Sequence, residues 1–320
     1  MIAPLFLTGA EFWADQTVNG LTTGSIYALI ALGYTMVYGV LQLINFAHGE
    51  VFMIGAFAGY GVLVGMGGDD LTGVMVALAI VLALLAAAVA SAATSVTIER
   101  IAYRPLRNAP RLAPLISAIG VSVFLSHLVD DGFLGGQSKF YPLIFPNGGI
   151  SLGPLSVSYL QMFLMGSSLL MMAGLYWVVQ RTGAGRAIRA VAESRTNASL
   201  MGIDVNRAIV ITFVLGAIMA GFAGVLYGLF LSSIRGSMGF IPGVKAFTAA
   251  VLGGIGSIPG AVVGGYGLGL AETLGREVLN EIPGVNLPNE WKDVVAFSVL
   301  VLILIFRPTG IFKQKETKRA

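Results

Sequence analysis

The stretch LTGVMVALAIVLALLAAAVASAATSVTI, from Leu71 to Ile98, carries no charged side chain and is dense in Ala, Val and Leu. About twenty apolar residues cross a bilayer as a helix, so this segment reads as a membrane span. Working outward from it, similar runs fall near residues 18–41, 51–66, 115–129, 159–179 and 208–231. A last one starts near Asn289, placed after Pro288 as an N-cap, and ends at Phe306 before Arg307. The whole chain has the same character: of 320 residues, 56% are apolar and 11% charged, against roughly a quarter charged in soluble domains. Long continuous runs, rather than alternating ten-residue strands, exclude a β-barrel. The fold class is all-α: a polytopic membrane helical bundle in a single transmembrane domain over residues 1–320.

Residues 244–274 break the pattern. They read as two pieces, about 244–253 and 259–274, joined by the glycine-rich Gly253-Gly254-Ile255-Gly256-Ser257-Ile258-Pro259-Gly260. Non-helical backbone at membrane depth is tolerated only inside protein or against a wet cavity, which places this hairpin in the core. About eight to ten helices then enter the membrane. Forty-three glycines imply helices in close contact.

Basic residues set the orientation. Fourteen of the nineteen Lys and Arg lie in three segments: 98–111, 180–207 and the tail 307–320, with Lys313, Lys315, Lys318 and Arg319. These segments carry a net charge of +10 and the rest of the chain −7. All three are expected in the cytoplasm, which puts the N-terminus and residues 130–158 outside and residues 45–50 near the inner end. By parity, the hairpin 244–274 enters and leaves on the outer side. Residues 1–16 hold no Lys or Arg, so they are not read as a secretory signal.

The absence of cysteine excludes disulfides, thiolate zinc sites, iron–sulfur clusters and thiol catalysis. His48 and His127 are too few for a histidine-rich metal site. No Gly-Lys-Ser/Thr follows Gly253, Gly254, Gly256 and Gly260, so there is no P-loop. No catalytic triad or catalytic carboxylate pair is visible. Neither catalysis, nor a cofactor or metal in this chain, nor a nucleic-acid partner is expected.

Ile44-Asn45-Phe46-Ala47-His48-Gly49-Glu50 sets a histidine and a carboxylate between two apolar spans almost without a loop. Ionisable groups at membrane depth face an interior, a partner or water. Two residues apart, His48 and Glu50 suit a turn or broken helix more than a shared helix face. The segment is either an interfacial turn or part of a pathway or gate. Residues 186–192 read as a short helix with Ile188, Val191 and Ala192 on one side and Arg186, Arg189 and Glu193 on the other. A second, about 196–201, is capped by Ser194 or Thr196 and stopped by Gly202. The pair either rests on lipid headgroups or docks a cytoplasmic partner. Lys245 is placed to pair with a carboxylate such as Glu50 or Glu272, to meet a substrate carboxylate, or to snorkel to the interface. Ser117, Ser122 and Ser126 form one helical stripe, which suits helix packing.

Taken together, these segments resemble a known family. Residues 24–39, GSIYALIALGYTMVYG, running into INFAHGE at 44–50, are similar to the opening of the permeases of branched-chain amino acid ABC importers. IERIAYRPLR at 98–107, GRAIRA at 185–190 through GID at 202–204, KAFTAAVLGGIGSIPG at 245–260 and RPTGI at 307–311 follow in order and cover nearly the whole chain. The likeness is to the shorter of the two paralogous permeases. It implies a second, paralogous permease, two cytoplasmic ATPase subunits that hold ATP and Mg, a periplasmic or lipid-anchored substrate-binding protein, and the lipids of a bacterial inner membrane. It also implies inward transport by alternating access, with the ATPase-coupling segment at Gly185, Arg186, Arg189, Glu193, Gly202 and Asp204. Under it, Asn45, His48, Glu50 and Lys245 are the candidates for pathway or gate. The departure from the family lies in the outer segment 130–158, expected to meet the binding protein. Importers of urea, short-chain amides or other amino acids are the alternatives within the family. Outside it stand a proton-coupled secondary transporter using His48 and Glu50, and a channel filtered by 244–274.

Overall fold

The structure, a computed structural model, describes residues 9–107, 109–110, 112–133, 137–307 and 309–312. Within them the chain forms α1 (Gly9–Leu41), α2 (His48–Gly65), α3 (Val74–Ile98), α4 (Leu112–His127), α5 (Tyr159–Arg181), α6 (Gly183–Glu193), α7 (Arg195–Leu200), α8 (Val205–Leu231), α9 (Phe240–Gly253), α10 (Ile258–Asn280) and α11 (Trp291–Phe306). Helices α1 to α5 and α8 are long and apolar enough to cross a membrane; this is a multi-pass membrane protein. With α9, α10 and α11 packed among them, nine helices make the bundle in the described residues. The short α6 and α7 lie in the connection between α5 and α8.

Helix α1 is the central pillar. Its most apolar stretch is 89% buried, against 17% for α4 and its extension, and it packs along α8 and α10. In lipid, apolar side chains gain nothing by meeting one another, so association rests on close contact of backbones. A Cβ on Gly24 of α1 would stand 2.8 Å from the Tyr266 Cα of α10, so only glycine permits this approach.

The basic segments gather at one end of the bundle. There Arg107 pairs with Glu99 and donates to Asn206 Oδ1 at 2.6 Å. The backbone after α11 folds back, Ile311 N–H donating to Leu252 O at 2.9 Å and Phe312 N–H to Gly253 O at 3.0 Å. Arg111 and the tail residues Lys313, Lys315, Lys318 and Arg319 lie outside the described residues. The connection between α9 and α10 also reaches this end, with Gly254 under Phe312 and Gly256 beside Gly39. The hairpin therefore enters and leaves from the opposite end, as parity requires.

At that opposite end, β1 (Lys139–Phe140) pairs antiparallel with β4 (Ser233–Ile234), and β2 (Gly149–Leu152) with β3 (Leu155–Ser158). This fixes the segment after α4 to the strand leading into α9 and buries Tyr141, whose hydroxyl donates to Ala56 O at 3.4 Å.

Several boundaries differ from the sequence expectation. Helix α1 reaches back to Gly9, so Glu11 and Asp15 are helical. The broken region is longer than 244–274, because α9 begins at Phe240 and α10 continues to Asn280. Asn289 does not cap α11 with its side chain; residues 288–293 wind by i to i+3 bonds, and Asn289 offers its carbonyl to Lys292 N–H at 3.1 Å.

Gly24→Ala is expected to destabilise the protein by about 1–3 kcal/mol through overpacking. Gly120→Ala, where a Cβ meets nothing within 4 Å, should be neutral or stabilising by up to about 1 kcal/mol. Thermal unfolding of the detergent-purified variants compares the two.

Candidate functional site

Helix α1 ends at Leu41 and Gln42 adopts a left-handed conformation, φ 57°. The chain then doubles back, so α2 begins inside the protein. His48 is edge-on to Tyr34, ring centroids 4.8 Å apart, and packs so tightly on Gly33 that a Cβ there would collide with the imidazole. The ring also hydrogen-bonds the Ile30 backbone. Glu50 Oε1 accepts from Ser122 Oγ at 3.1 Å, and Asn45 Oδ1 accepts from Tyr103 Oη at 2.8 Å. Asn45, His48 and Glu50 are buried, at 3%, 1% and 1% exposure. This corrects the turn reading. Ala47 O accepts from Glu50 N–H and Val51 N–H, so His48 and Glu50 lie in the first turn of a helix. They face different neighbours, as their spacing requires, and both are buried within the protein.

A second helix starts at the same place. Gly49 of α2 touches Gly239 and Gly243 at the beginning of α9, and any side chain on Gly239 would meet the Gly49 carbonyl. The serine stripe of α4 fastens that helix here: Ser122 to Glu50, Ser126 Oγ to Gly236 O at 3.2 Å and Ser117 Oγ to Ala102 O at 3.4 Å. Turns of π-helix flank α4 at Glu99–Tyr103 and Leu128–Phe133.

Lys245 does not reach Glu50. Its Nζ lies 2.8 Å from Glu272 Oε1 and 2.5 Å from Asp293 Oδ1, and 5.8 Å from the centre of the Tyr27 ring. It thereby ties α9 to α10, α11 and α1. Glu272 was legible as a partner. Asp293 was not, because nothing in the spacing brings α11 beside α9.

At the basic end, Thr182 caps α6 by accepting Gly185 N–H at 3.1 Å. Gly185 is required by the nearby Val178 and Val179 carbonyls, and Arg189 donates to Val179 O. Ile188 and Val191 are buried, while Arg186, Glu193 and also Ala192 are exposed. The apolar stripe is thus narrower than the expected one, since α6 lies on the bundle by Ile188 and Val191. Helix α7 begins at Arg195 with Ser194 as cap, accepting Asn197 N–H at 3.2 Å. It stops at Gly202, φ 79°, where Gly202 N–H donates to Ser199 O and Ile203 N–H to Ala198 O, both at 3.0 Å. Asp204 caps α8 through Arg207 N–H at 3.0 Å.

Sequence reasoning missed Arg195. Its Nη2 donates to Val40 O at 3.1 Å and Leu41 O at 3.2 Å, the last carbonyls of α1. Cations suit that negative helix end. Partial burial, and then the charge of Arg107, lowers the Arg195 pKa from its ordinary value. Leu200 and Met201 stand 81% and 82% exposed beside it. At the other end, a polar cavity of about 380 Å³ is lined by Asp15, Asn19, the β2–β3 hairpin and Gln161.

A helical bundle whose helices break in its interior, around buried ionisable side chains, is the framework of a membrane transport subunit. Residues 16–304 match the family described as branched-chain amino acid transport system / permease component. The chain belongs to this family. It is 46% identical over 316 residues to the high-affinity branched-chain amino acid transport system permease protein BraD of Pseudomonas aeruginosa, covering 96% of this chain and 98% of that one. It is 44% identical to LivH of Escherichia coli, with the same coverage. A probable LivH of Methanocaldococcus jannaschii is 27% identical over 90% of this chain and 88% of its own length.

Lys245→Met, which strands two carboxylates, is expected to destabilise the protein by about 3–5 kcal/mol, and Lys245→Met with Glu272→Met to regain most of that loss. Thermal unfolding of purified single and double variants measures both.

Proposed function

We propose that the chain is the membrane-spanning permease subunit of an ATP-binding-cassette importer that carries branched-chain amino acids inward across the bacterial inner membrane. Full-length likeness to BraD and LivH supports the cargo. The observation that carries the mechanism is the bond from Arg195 to the end of α1. It links the exposed basic loop directly to the segment that leads into Asn45, His48 and Glu50.

In this reading the basic end is cytoplasmic, the N-terminus is outside and the C-terminus inside. A paralogous permease completes the pathway. Two ATPase subunits, which hold ATP and Mg, dock on the loop carrying Gly185, Arg186, Arg189, Glu193, Gly202 and Asp204, with Leu200 and Met201 as its apolar contact. This chain itself catalyses nothing and holds no cofactor. A binding protein delivers substrate to the outer end, near the β2–β3 hairpin. Closure of the ATPases displaces α6 and α7; Arg195 pulls the end of α1, and the mid-membrane start of α2 shifts with it. Only interactions that differ between the outward- and inward-open states drive such a change. Asn45, His48 and Glu50 form the gate, and Lys245 holds α9 to its neighbours while it works.

The test is uptake of labelled leucine into liposomes holding both permeases, both ATPases and the binding protein, omitting each in turn. ATP-dependent uptake that needs every component, and that isoleucine and valine inhibit, is expected. Inhibition by urea or amides alone changes the cargo, and uptake by this chain without ATP overturns the importer. Arg189→Glu is expected to reduce uptake to background with the protein still inserted. Arg195→Ala should lower uptake about tenfold to a hundredfold, the worth of a charge-assisted bond, while the ATPases still co-purify. Normal uptake by Arg195→Ala removes it from the transmission path.

A further inference from the structure

Two helices begin in the middle of this protein, at one point. The first N–H groups of any helix lack intrahelical partners and form a positive end. In α2 the N-cap position is Ala47 and in α9 it is Gly239; neither start is capped by a side chain, and in α2 the N–H groups of His48, Glu50 and Val51 donate to the Asn45 and Ala47 carbonyls, which leaves that of Gly49. Pro242 has no N–H, so the free donors of α9 are those of Phe240 and Ile241. Both residues are open to the surroundings of the chain, 64% and 39% exposed.

The Glu50 carboxyl already stands there. Glu50 Oε2 lies 2.7 Å from where a Cβ on Gly239 would be, is shielded from solvent and has no hydrogen-bond partner among the described residues. Its other oxygen is held by Ser122. No side-chain cation attends it, since Lys245 is engaged with Glu272 and Asp293. Among the described residues Ser122 is thus the hydrogen-bond partner of Glu50, and its second oxygen rests against the helix starts without bonding them. Around the same point, Tyr34, Phe46 and Phe247 form an aromatic wall, with centroids of Phe46 and Phe247 6.1 Å apart and of Tyr34 and Phe247 6.2 Å apart. Phe46 and Phe247 are only half-buried.

We propose that the meeting point of α2 and α9 is a carboxylate-binding site on the translocation pathway, obstructed in this state by Glu50, whose side chain an incoming amino acid displaces. The ligand class is a small carboxylate with an apolar side chain: the free N–H groups take the carboxylate and the aromatic wall takes the side chain. Glu50 is then a competitor for the site rather than a partner for the substrate's ammonium group. This rests on the permease reading above.

The experiment measures equilibrium binding of labelled leucine to the permease–ATPase complex in nanodiscs, without the binding protein. Competitors are 4-methylvalerate, which keeps the carboxylate and lacks the ammonium, and leucinamide, which does the reverse. Glu50→Gln is expected to tighten leucine binding by about fivefold or more, and 4-methylvalerate, not leucinamide, to compete. Proline is well accepted at the first position of a helix. Phe240→Pro deletes one donor and, in complexes whose thermal unfolding matches that of Phe240→Ala, which keeps the N–H, should weaken binding about fivefold relative to it, the worth of one hydrogen bond. The site is overturned if leucinamide competes and 4-methylvalerate does not, if Glu50→Gln weakens binding or leaves it unchanged, if Phe240→Pro and Phe240→Ala bind alike, or if the complex binds no leucine. Uptake by the full wild-type system, run in parallel, separates the two failures. ATP-driven leucine uptake beside any of these results removes only the carboxylate site, whereas absent uptake removes the importer reading.

Discussion

A helix that begins inside a bilayer exposes N–H groups where no water can satisfy them. The architecture around residues 42–50 and 235–243 follows from that constraint. Both starts are brought into the protein and set against each other through Gly49, Gly239 and Gly243. Serine hydroxyls from α4 close one side, and α1 closes another with Gly33 and Tyr34. Were any of the three glycines larger, the two ends would separate and leave their donors facing hydrocarbon.

The same constraint explains why charge inside this protein comes in two forms. Lys245 is neutralised by Glu272 and Asp293, so it acts as a rivet among four helices. Glu50 is held by a single hydroxyl, and its second oxygen has no partner among the described residues, so its position can change without stranding another ion. A firmly paired and a loosely held ionisable group therefore sit side by side on α9 and α2, and their partners distinguish them.

Much of this was legible from the amino-acid order. The long apolar runs, the broken region after residue 240, the basic end and the two short helices around Ser194 and Gly202 all follow from local composition, because length, charge and capping act within a few residues. The family was legible too, from motifs spread along the chain. What sequence could not supply was the depth of His48 and Glu50. A short loop after Leu41 looks the same whether the chain turns at the interface or dives back inside, and the difference lies in Gly33 and Gly239, remote in sequence. Arg195 and Asp293 were hidden for the same reason: their partners lie on α1 and α9, and no spacing rule connects them. The β pairs at the end opposite the basic one were missed because strands of two to four residues leave no periodic trace.

The pillar of the bundle is made long before its main partner. Its main partner, α10, begins more than two hundred residues later, so at about 5–20 residues per second α1 waits roughly 10–40 s in the membrane before that surface exists. The helix is suited to the wait. Thr17, Thr22 and Thr23 donate to the carbonyls of Trp13, Val18 and Asn19, and Ser25 to that of Thr22, while Glu11 and Asp15 are confined to its outer turns. Each of these hydroxyls is satisfied by the helix's own backbone. The element on which the finished protein closes thus keeps these four hydroxyls satisfied by itself during synthesis, whereas its last carbonyls wait for Arg195.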